Sequence, residues 1–180
     1  MDVPGGNGPT ESGERMPDIP AALFREVLGC LPTGVTVVAA EGGRGPVGMA
    51  ANSFTSVSLE PPMVLLCPAR SSSTWPQIRA AGRFCVNVMH ERHSEMTRRF
   101  AQRGVDRFAG LSWHPRPGGP AIEDAVAWID CVLLDEHDAG DHTIVVAEVV
   151  AIEASEDTSP LVFHRGRYGG FLHGAPEDSG

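Results

Sequence analysis

The residues best suited to chemistry in this chain are small and neutral, and they form two short stretches. The first is Ala50–Ser53 (AANS) and the second is Ser71–Thr74 (SSST). Small side chains let a planar ligand approach the backbone, while hydroxyls and an amide supply uncharged donors and acceptors. This combination suits an oxidised, uncharged ring system better than a metal or a nucleophile. An ordinary half-exposed strand rich in serine and threonine would have the same composition, so both interpretations stay open.

The second stretch precedes a predicted helix from Trp75 to Ala81, with Pro76 in its first turn and Gly82 after its end. A hydroxyl of Ser73 or Thr74 is expected to cap this helix. Free amides and hydroxyls at a positive helix end suit a monophosphate or a pyrophosphate. Simple capping by a serine-rich loop explains the pattern equally well.

Two histidine clusters could indicate a metal. The segment His137–His142 (HDAGDH) carries two imidazoles and two carboxylates close together. It is compatible with a turn, with a redox or substrate contact at His142, or with a metal site. The segment His90–His93 (HERH) is one residue short of the H-E-x-x-H spacing. It therefore predicts a solvated helix start, and no metal site is assigned.

Three glycines, Gly43, Gly45 and Gly48, match the pattern G-x-G-x-x-G. A dinucleotide fingerprint needs these glycines to open a helix, but Pro46 lacks a backbone donor and strand-like residues follow it. The pattern predicts a hairpin turn. The sequence also lacks a G-x-S-x-G or Walker motif, so no side chain stands out for covalent catalysis.

Composition limits the class of protein. A chain of 180 residues suits one domain, and a formal net charge of -9 disfavours nucleic acid as a partner. No run approaches the ~20 apolar residues of a membrane span, and the start lacks a signal-peptide layout, so we expect a cytoplasmic protein. The widely spaced cysteines predict buried, reduced thiols; they are Cys30, Cys67, Cys85 and Cys131.

The chain is expected to comprise a disordered tail at 1–18, one folded domain at 19–173 and a flexible tail at 174–180. Helices are predicted at 19–28, 75–81 and 91–102, the last with Met96 and Phe100 facing inward. Strands are predicted at 33–40, from about residue 46, at 64–66, 84–89, 127–134, 143–152 and 161–164, and the region 103–123 is expected to be irregular. Six or seven strands with few helices favour a mainly β fold, a small closed antiparallel barrel.

Six motifs in order resemble the flavin reductase-like family, the short-chain NAD(P)H:flavin oxidoreductases that serve two-component flavin monooxygenases. They are TGVTVV, GMAANSFTSVSLEPPMVLLC, SSST, FCVNV, GDHTIVVAEV and PLVFHRGRYGGF. The resemblance runs from about Phe24 to Leu172. It implies a split β-barrel, a Greek-key antiparallel barrel that binds FMN or FAD, with a few short peripheral helices. It also implies a homodimer that takes hydride from NADH or NADPH.

The resemblance assigns roles by position. The AANS stretch resembles the segment along the flavin ring, and SSST resembles the loop that contacts phosphate. Phe100 and Arg107 match a segment that closes over the flavin tail, and His142 and Tyr168 resemble residues near the nicotinamide, which are taken as catalytic. The expected cofactor-binding residues are Thr33, Met49, Ala50, Ala51, Asn52, Ser53, Ser56, Cys67, Ser71, Ser72, Ser73, Thr74, Phe100, Arg107, His142 and Tyr168.

Hydride transfer between two cofactors explains the lack of an acid or a base, because the protein needs only to hold the two rings about 3 to 3.5 Å apart and exclude water. Two other functions remain open. The chain could be a flavin-storing or sensing module without nicotinamide turnover. It could also be an oxidase or oxygenase with retained flavin, which would need a deep apolar pocket.

Overall fold

The structure is a computed structural model that describes residues 18–156 and 159–172. The tails expected at 1–18 and 174–180 lie outside these residues, apart from Asp18. The described helices are α1 (Ala21–Leu28), α2 (Trp75–Ala81) and α3 (Ser94–Phe100), with a 3-10 turn at Glu91–His93. The strands are β1 (Thr33–Gly34), β2 (Thr36–Gly42), β3 (Gly45–Ala51), β4 (Thr55–Leu59), β5 (Pro62–Leu66), β6 (Arg83–Val88), β7 (Trp113–Pro115), β8 (Pro120–Ile122), β9 (Ala127–Ala139), β10 (His142–Ala154), β11 (Val162–His164) and β12 (Arg167–Gly169).

Seven of these strands form one antiparallel sheet in the order β3-β2-β6-β9-β10-β5-β4. The fold is therefore mainly β, as predicted. Its two edge strands, β3 and β4, are consecutive in the chain and are joined by residues 52–54. Within the described residues no ladder pairs β3 with β4, so the predicted closure into a barrel is not seen in the hydrogen bonding. A side-chain contact lies at this junction instead, where the Ser53 hydroxyl accepts a hydrogen bond from the Cys67 N–H at 2.9 Å.

The predicted strand at 33–40 divides into β1 and β2, and β2 carries the uninterrupted apolar run 37–40. Successive side chains point to opposite faces of a strand. Val38 and Ala40 pack in a core with Trp75, Ile78 and Phe84, whereas Val37 and Ala39 pack in a second core with Met89, Phe100 and Leu161. Because both faces of β2 are covered, the strand carries apolar residues without alternation.

Two local predictions hold well. Helix α2 has the predicted bounds, and it is followed by Gly82 in the left-handed region at φ 69°. The β2–β3 pairing confirms the predicted hairpin: the chain turns at Gly43 and Arg44, and Gly45 and Gly48 belong to β3. The predicted cap is wrong in detail, because Thr74 occupies the N-cap position without a capping bond, and the Ser72 hydroxyl accepts from the N–H groups of Thr74 and Trp75.

The histidine-rich segments differ from their predictions. His137 and Asp138 belong to strand β9 and pair with β10, so the connecting turn contracts to Gly140 and Asp141. A hairpin that is solvated on both faces tolerates polar residues throughout, which removes the alternation that marks a strand. His90, expected in a solvated helix start, is 6% exposed, and its Nδ1 accepts from the Arg92 N–H at 3.2 Å.

The region expected to be irregular, 103–123, contains the small hairpin β7–β8. A buried amide fixes it against the main sheet: the Asn87 side chain donates to the carbonyls of Val37 and Pro120 and accepts from the Ile122 N–H at 2.7 Å. Satisfying several backbone groups with one buried amide stabilises a segment that has little regular structure.

The four cysteines are unpaired. Burial raises the pKa of Cys85 and of Cys131 to about 12, so both thiols stay protonated. The prediction of burial is wrong for Cys30, which is exposed. Among the described residues, no helix has the length and apolar character needed to cross a membrane.

Candidate functional site

Strand β3 carries the AANS stretch along one edge of the main sheet. Gly48 lies under two aromatic rings, since a Cβ built there would come within 3.0 Å of Phe100 and 3.2 Å of Phe108. These rings meet edge to face with centroids 5.2 Å apart. From Gly48 to Ala51 the strand advances about 10 Å. Two recesses lie at the two ends of this span.

The first recess, of about 250 Å³, lies beside Gly48 between the SSST loop and residues 104–108. Arg107 forms its cationic part, donating to the Gly48 carbonyl at 2.7 Å and the Thr74 hydroxyl at 2.6 Å. Arg107 also donates to the Gln102 carbonyl. All these partners are neutral, and burial lowers the pKa of Arg107. The first recess thus contains a partly buried positive charge that forms no ion pair with a described carboxylate. The Asp106 carboxylate also lines the recess, but it accepts from the Phe108 N–H at 3.0 Å.

The SSST loop supplies hydroxyls next to this charge. Ser71 and Ser73 are exposed, whereas Thr74 is buried against Arg107. Ser72 is half-buried and lies 3.9 Å from the Met49 sulfur, which ties the loop to β3. Arg103 donates to the Ser71 carbonyl at 3.4 Å, which places a second guanidinium beside the loop. The capacity to bind an anion comes from these side chains, because the seven-residue helix α2 is short.

The second recess, of about 190 Å³, lies at the other end of β3 and has an uncharged lining. Its lining residues are Val35, Ala50, Ala51, Asn52, Phe163 and Tyr168. The rings of Phe163 and Tyr168 have centroids 5.3 Å apart, and the Arg98 guanidinium lies 5.3 Å from the centre of the Tyr168 ring. Burial raises the pKa of Tyr168, so its phenol stays neutral. Small residues on one wall and aromatic rings on the other form a slot for a flat group.

Other predicted residues have varied positions. The hydroxyl of Thr33 is buried without a hydrogen-bond partner, whereas Ser56 is exposed on β4. Cys67 is partly buried, and burial raises its pKa. Phe100 is only 1% exposed, so its ring packs against Gly48 and offers no open surface to a ligand. Its predicted contact with a flavin tail stays a prediction.

His142 lies at the start of β10, away from the slot. Its Nδ1 is 2.7 Å from the Asp141 carboxylate, and hydrogen bonding to His142 lowers the pKa of Asp141. The backbone of His142 pairs with Ala69, which brings the β9–β10 turn beside the SSST loop. No contact among the described residues joins His142 to Tyr168. The described residues also contain no group of three or more His, Cys, Asp or Glu side chains that could hold a metal.

The sequence interpretation missed Phe163 and Arg98. Phe163 and Tyr168 are directly paired on β11 and β12, across the turn at Arg165 and Gly166. Two aromatic residues separated by a short polar run that contains a glycine, His164–Arg167, are typical of a hairpin, and this pattern could have identified the pair. Arg98 reaches Tyr168 from helix α3, and no local pattern indicates that contact.

Comparison with known proteins gives one consistent result. The model of the flavin reductase like domain matches residues 28–171. A flavin reductase of Pseudomonas putida is 49% identical over 150 residues, covering 82% of this chain and 88% of the relative. The crystal structure of nitrilotriacetate monooxygenase component B from Mycobacterium thermoresistibile has 40% identity and a TM-score of 0.81, covering 88% of this chain and 93% of the other.

A third relative was solved with ligands. It is the Streptomyces globisporus NADH:FAD oxidoreductase SgcE6 in complex with NAD and FAD fragments, with 36% identity and a TM-score of 0.79. The match covers 89% of this chain and 96% of that one. Sequence and structure comparisons therefore agree over nearly all of the described residues.

Proposed function

Because this chain belongs to the flavin reductase-like family, we propose that it is an NAD(P)H:flavin oxidoreductase that supplies reduced FMN or FAD to a partner monooxygenase. The names of the relatives support both the reaction and the cofactors in this proposal. The geometry of β3 supports it independently.

The observation that carries the proposal is the pair of recesses along β3. A neutral slot lies by Ala50–Asn52, and an uncompensated cation with hydroxyls lies by Gly48, about 10 Å away by strand rise. A flavin nucleotide has the same arrangement, with a flat uncharged ring at one end and phosphate at the other. A partly buried Arg107 without an acidic partner gains most from an anion, because a buried charge is costly unless it is paired.

The chemistry requires little from side chains. Bound flavin supplies the two-electron acceptor for a hydride released by the nicotinamide, and a proton from solvent completes its reduction. Ala50 and Ala51 allow close approach to the backbone, and Asn52 offers an amide at the end of the slot. Phe163 and Tyr168 exclude water from one side. Neutral donors preserve affinity for both redox states of the ring, whereas a carboxylate here would oppose incoming negative charge.

We assign the nicotinamide side of the site to Tyr168 and His142. Tyr168 presents a neutral ring at the slot, and His142 carries a half-exposed imidazole held by Asp141. The remaining cofactor-binding residues are proposed to act through the two recesses: Met49, Ser71, Ser72, Ser73 and Thr74 at the phosphate end, and Thr33, Ser53, Ser56 and Cys67 around the AANS stretch.

The test follows the absorbance of NADH with riboflavin, FMN or FAD as the acceptor. We expect turnover with all three flavins. Arg107→Ala should raise KM for FMN and FAD at least ~tenfold, as expected for the loss of a charged hydrogen bond to phosphate. Riboflavin carries no phosphate, so its KM should stay within about twofold. Absence of NADH oxidation with every flavin would refute the proposed reaction.

The finer architecture also belongs to this proposal. We expect the seven-stranded sheet to form the split barrel of the family, because its edge strands are linked by only three residues. We also expect a homodimer. Strands β9 and β10 are neighbours, and β5 separates β10 from the edge strand β4. Strands β4, β9 and β10 expose large apolar side chains, namely Val57, Leu59, Leu134, Val150 and Ile152, and exposed apolar patches mark interfaces. Light scattering should give twice the chain mass of 19.1 kDa, and Ile152→Glu should lower it.

A further inference from the structure

We propose that the cavity between helix α1 and the β11–β12 turn binds the adenosine diphosphate half of the nicotinamide dinucleotide, with Arg165 as its phosphate ligand. This inference rests on the proposed reductase function, since it assigns a place to one of that reaction's substrates. The cavity lies beside the neutral slot and outside the phosphate recess at Gly48.

The cavity adjoins the place where the nicotinamide is expected. It has a volume of about 760 Å³, and it shares Asn52 and Phe163 with the neutral slot at the end of β3. Arg25 of α1 also borders the cavity. A dinucleotide whose nicotinamide stacks on a flavin ring in the slot can therefore extend into this cavity.

The charges of the cavity suit a diphosphate. The Arg165 guanidinium has one described side-chain partner, the Cys30 sulfur at 3.1 Å, which is neutral or weakly polar. Arg25 makes no ion pair with a described residue. Glu26 is the one acidic residue in the lining. In a chain with a net charge of -9, two arginines without ion-paired carboxylates beside one cavity are an unusual concentration of positive charge.

The backbone of Arg165 gives a second observation. Its φ is 48°, in the left-handed region that side chains other than glycine, asparagine and aspartate seldom adopt. Gly166 follows with φ 76°, so the two residues form a hairpin turn that usually begins with asparagine or aspartate. An arginine held here at a conformational cost points to a use for its side chain.

The walls offer contacts for the rest of the ligand. Phe24, Leu28 and Leu31 present apolar surface that is 56%, 49% and 63% exposed. A purine that packs against this surface removes it from water. The cavity therefore combines cations and an apolar wall, as an adenosine diphosphate requires.

FAD also contains an adenosine diphosphate, so the test separates the two sources by its choice of acceptor and donor. Riboflavin serves as the acceptor, which leaves the donor as the sole source of nucleotide phosphate. Rates are compared for NADH and for reduced nicotinamide mononucleotide, which lacks the adenylate. In Arg165→Asn, chosen because asparagine tolerates the left-handed backbone, KM for NADH should rise about tenfold with kcat nearly unchanged. KM for the mononucleotide should change less than about twofold.

ADP provides a readout that does not depend on turnover. Calorimetric titration of the full chain with ADP should show binding that weakens about tenfold in Arg165→Asn and largely recovers in Arg165→Lys. Arg44→Gln is the matched control, because Arg44 is also exposed and has no described partner but lies in the distant β2–β3 turn. It should behave as the wild type.

The outcomes separate the two proposals. If the wild type reduces riboflavin but Arg165→Asn leaves KM for NADH unchanged, the cavity assignment fails and the reductase function stands. If the wild type reduces no flavin, the function fails, and ADP titration alone decides whether the cavity binds the nucleotide. If Phe24→Ala halves the mass of the protein in solution while ADP binds as in the wild type, the apolar wall is a subunit contact and the assignment is wrong.

Discussion

The two ends of strand β3 differ in how firmly their groups are held. At the Gly48 end, Arg107 is fixed by three neutral acceptors and partly buried, and two aromatic rings press on the glycine. At the Asn52 end, the slot is lined by small residues and by Phe163 and Tyr168 from a separate three-stranded sheet. The first end is a preformed anchor, whereas the second is an open slot.

This difference suits a reaction in which two substrates must meet. A preorganised phosphate anchor reduces the entropic cost of binding the flavin, and an open slot leaves room for the nicotinamide to stack on the flavin ring and then leave. Mutations at the Gly48 end should therefore affect flavin binding and stability together. Mutation of Tyr168, which we assign to the nicotinamide side of the slot, should affect the use of the nicotinamide with little effect on stability.

The largest effect is expected from Arg107→Ala. It removes bonds to the Gly48 carbonyl and the Thr74 hydroxyl, and each lost charged hydrogen bond costs about 1.5–3 kcal/mol. The midpoint of thermal unfolding should fall by several degrees, and FMN affinity should fall more than tenfold, as measured by scanning calorimetry and by fluorescence titration. Arg83→Ala, at an exposed arginine of β6 that lines neither recess, is the control. Equal effects of both variants would contradict the anchor.

Gly48→Val tests the aromatic cover of β3. Its Cβ would crowd Phe100 and Phe108, and overpacking of this kind costs roughly 1–3 kcal/mol. Denaturant titration should show the loss, together with weaker FMN binding because the Gly48 carbonyl shifts. Gly43→Ala is the matched control, since nothing lies within 4 Å of a Cβ at Gly43. Wild-type stability in Gly48→Val would show that β3 is not constrained at this point.

Tyr168→Ala tests the open slot. It removes the ring that packs on Phe163, and we expect KM for NADH to rise about five- to tenfold while FMN affinity changes less than twofold. Tyr168→Phe should retain most of the activity, because the ring rather than the hydroxyl lines the slot. Loss of FMN affinity in Tyr168→Ala would place the flavin, and not the donor, against this residue.

The smallest effect is expected from His142→Ala. Because the imidazole is half-exposed and lies outside both recesses, KM for NADH should rise only about two- to fivefold, with FMN binding unchanged. Steady-state kinetics and fluorescence titration measure the two quantities. His137→Ala, an exposed histidine of the same hairpin, should have no effect. Equal weakening of both substrates by His142→Ala would contradict the role proposed for it.

Much of the fold was readable because local signals agreed with one another. Pro76 and Gly82 delimit α2, and the glycines after Glu41 mark the first hairpin. The β9–β10 hairpin was underestimated, since its polar end at His137 and Asp138 has no apolar face to reveal its period. Closure of the sheet could not be read either, because a strand count does not say whether the edges pair.

The candidate site divides in the same way. The sequence by itself determined which groups are available: the small residues of AANS, the hydroxyls of SSST and the absence of a covalent catalytic motif. Only the tertiary structure decided that Arg107 meets Gly48 and Thr74, and that Tyr168 faces Ala50–Asn52. The physical reason is range. Propensities act over a few neighbouring residues, whereas contacts across 33 or 59 positions depend on sheet register and on the packing of both cores.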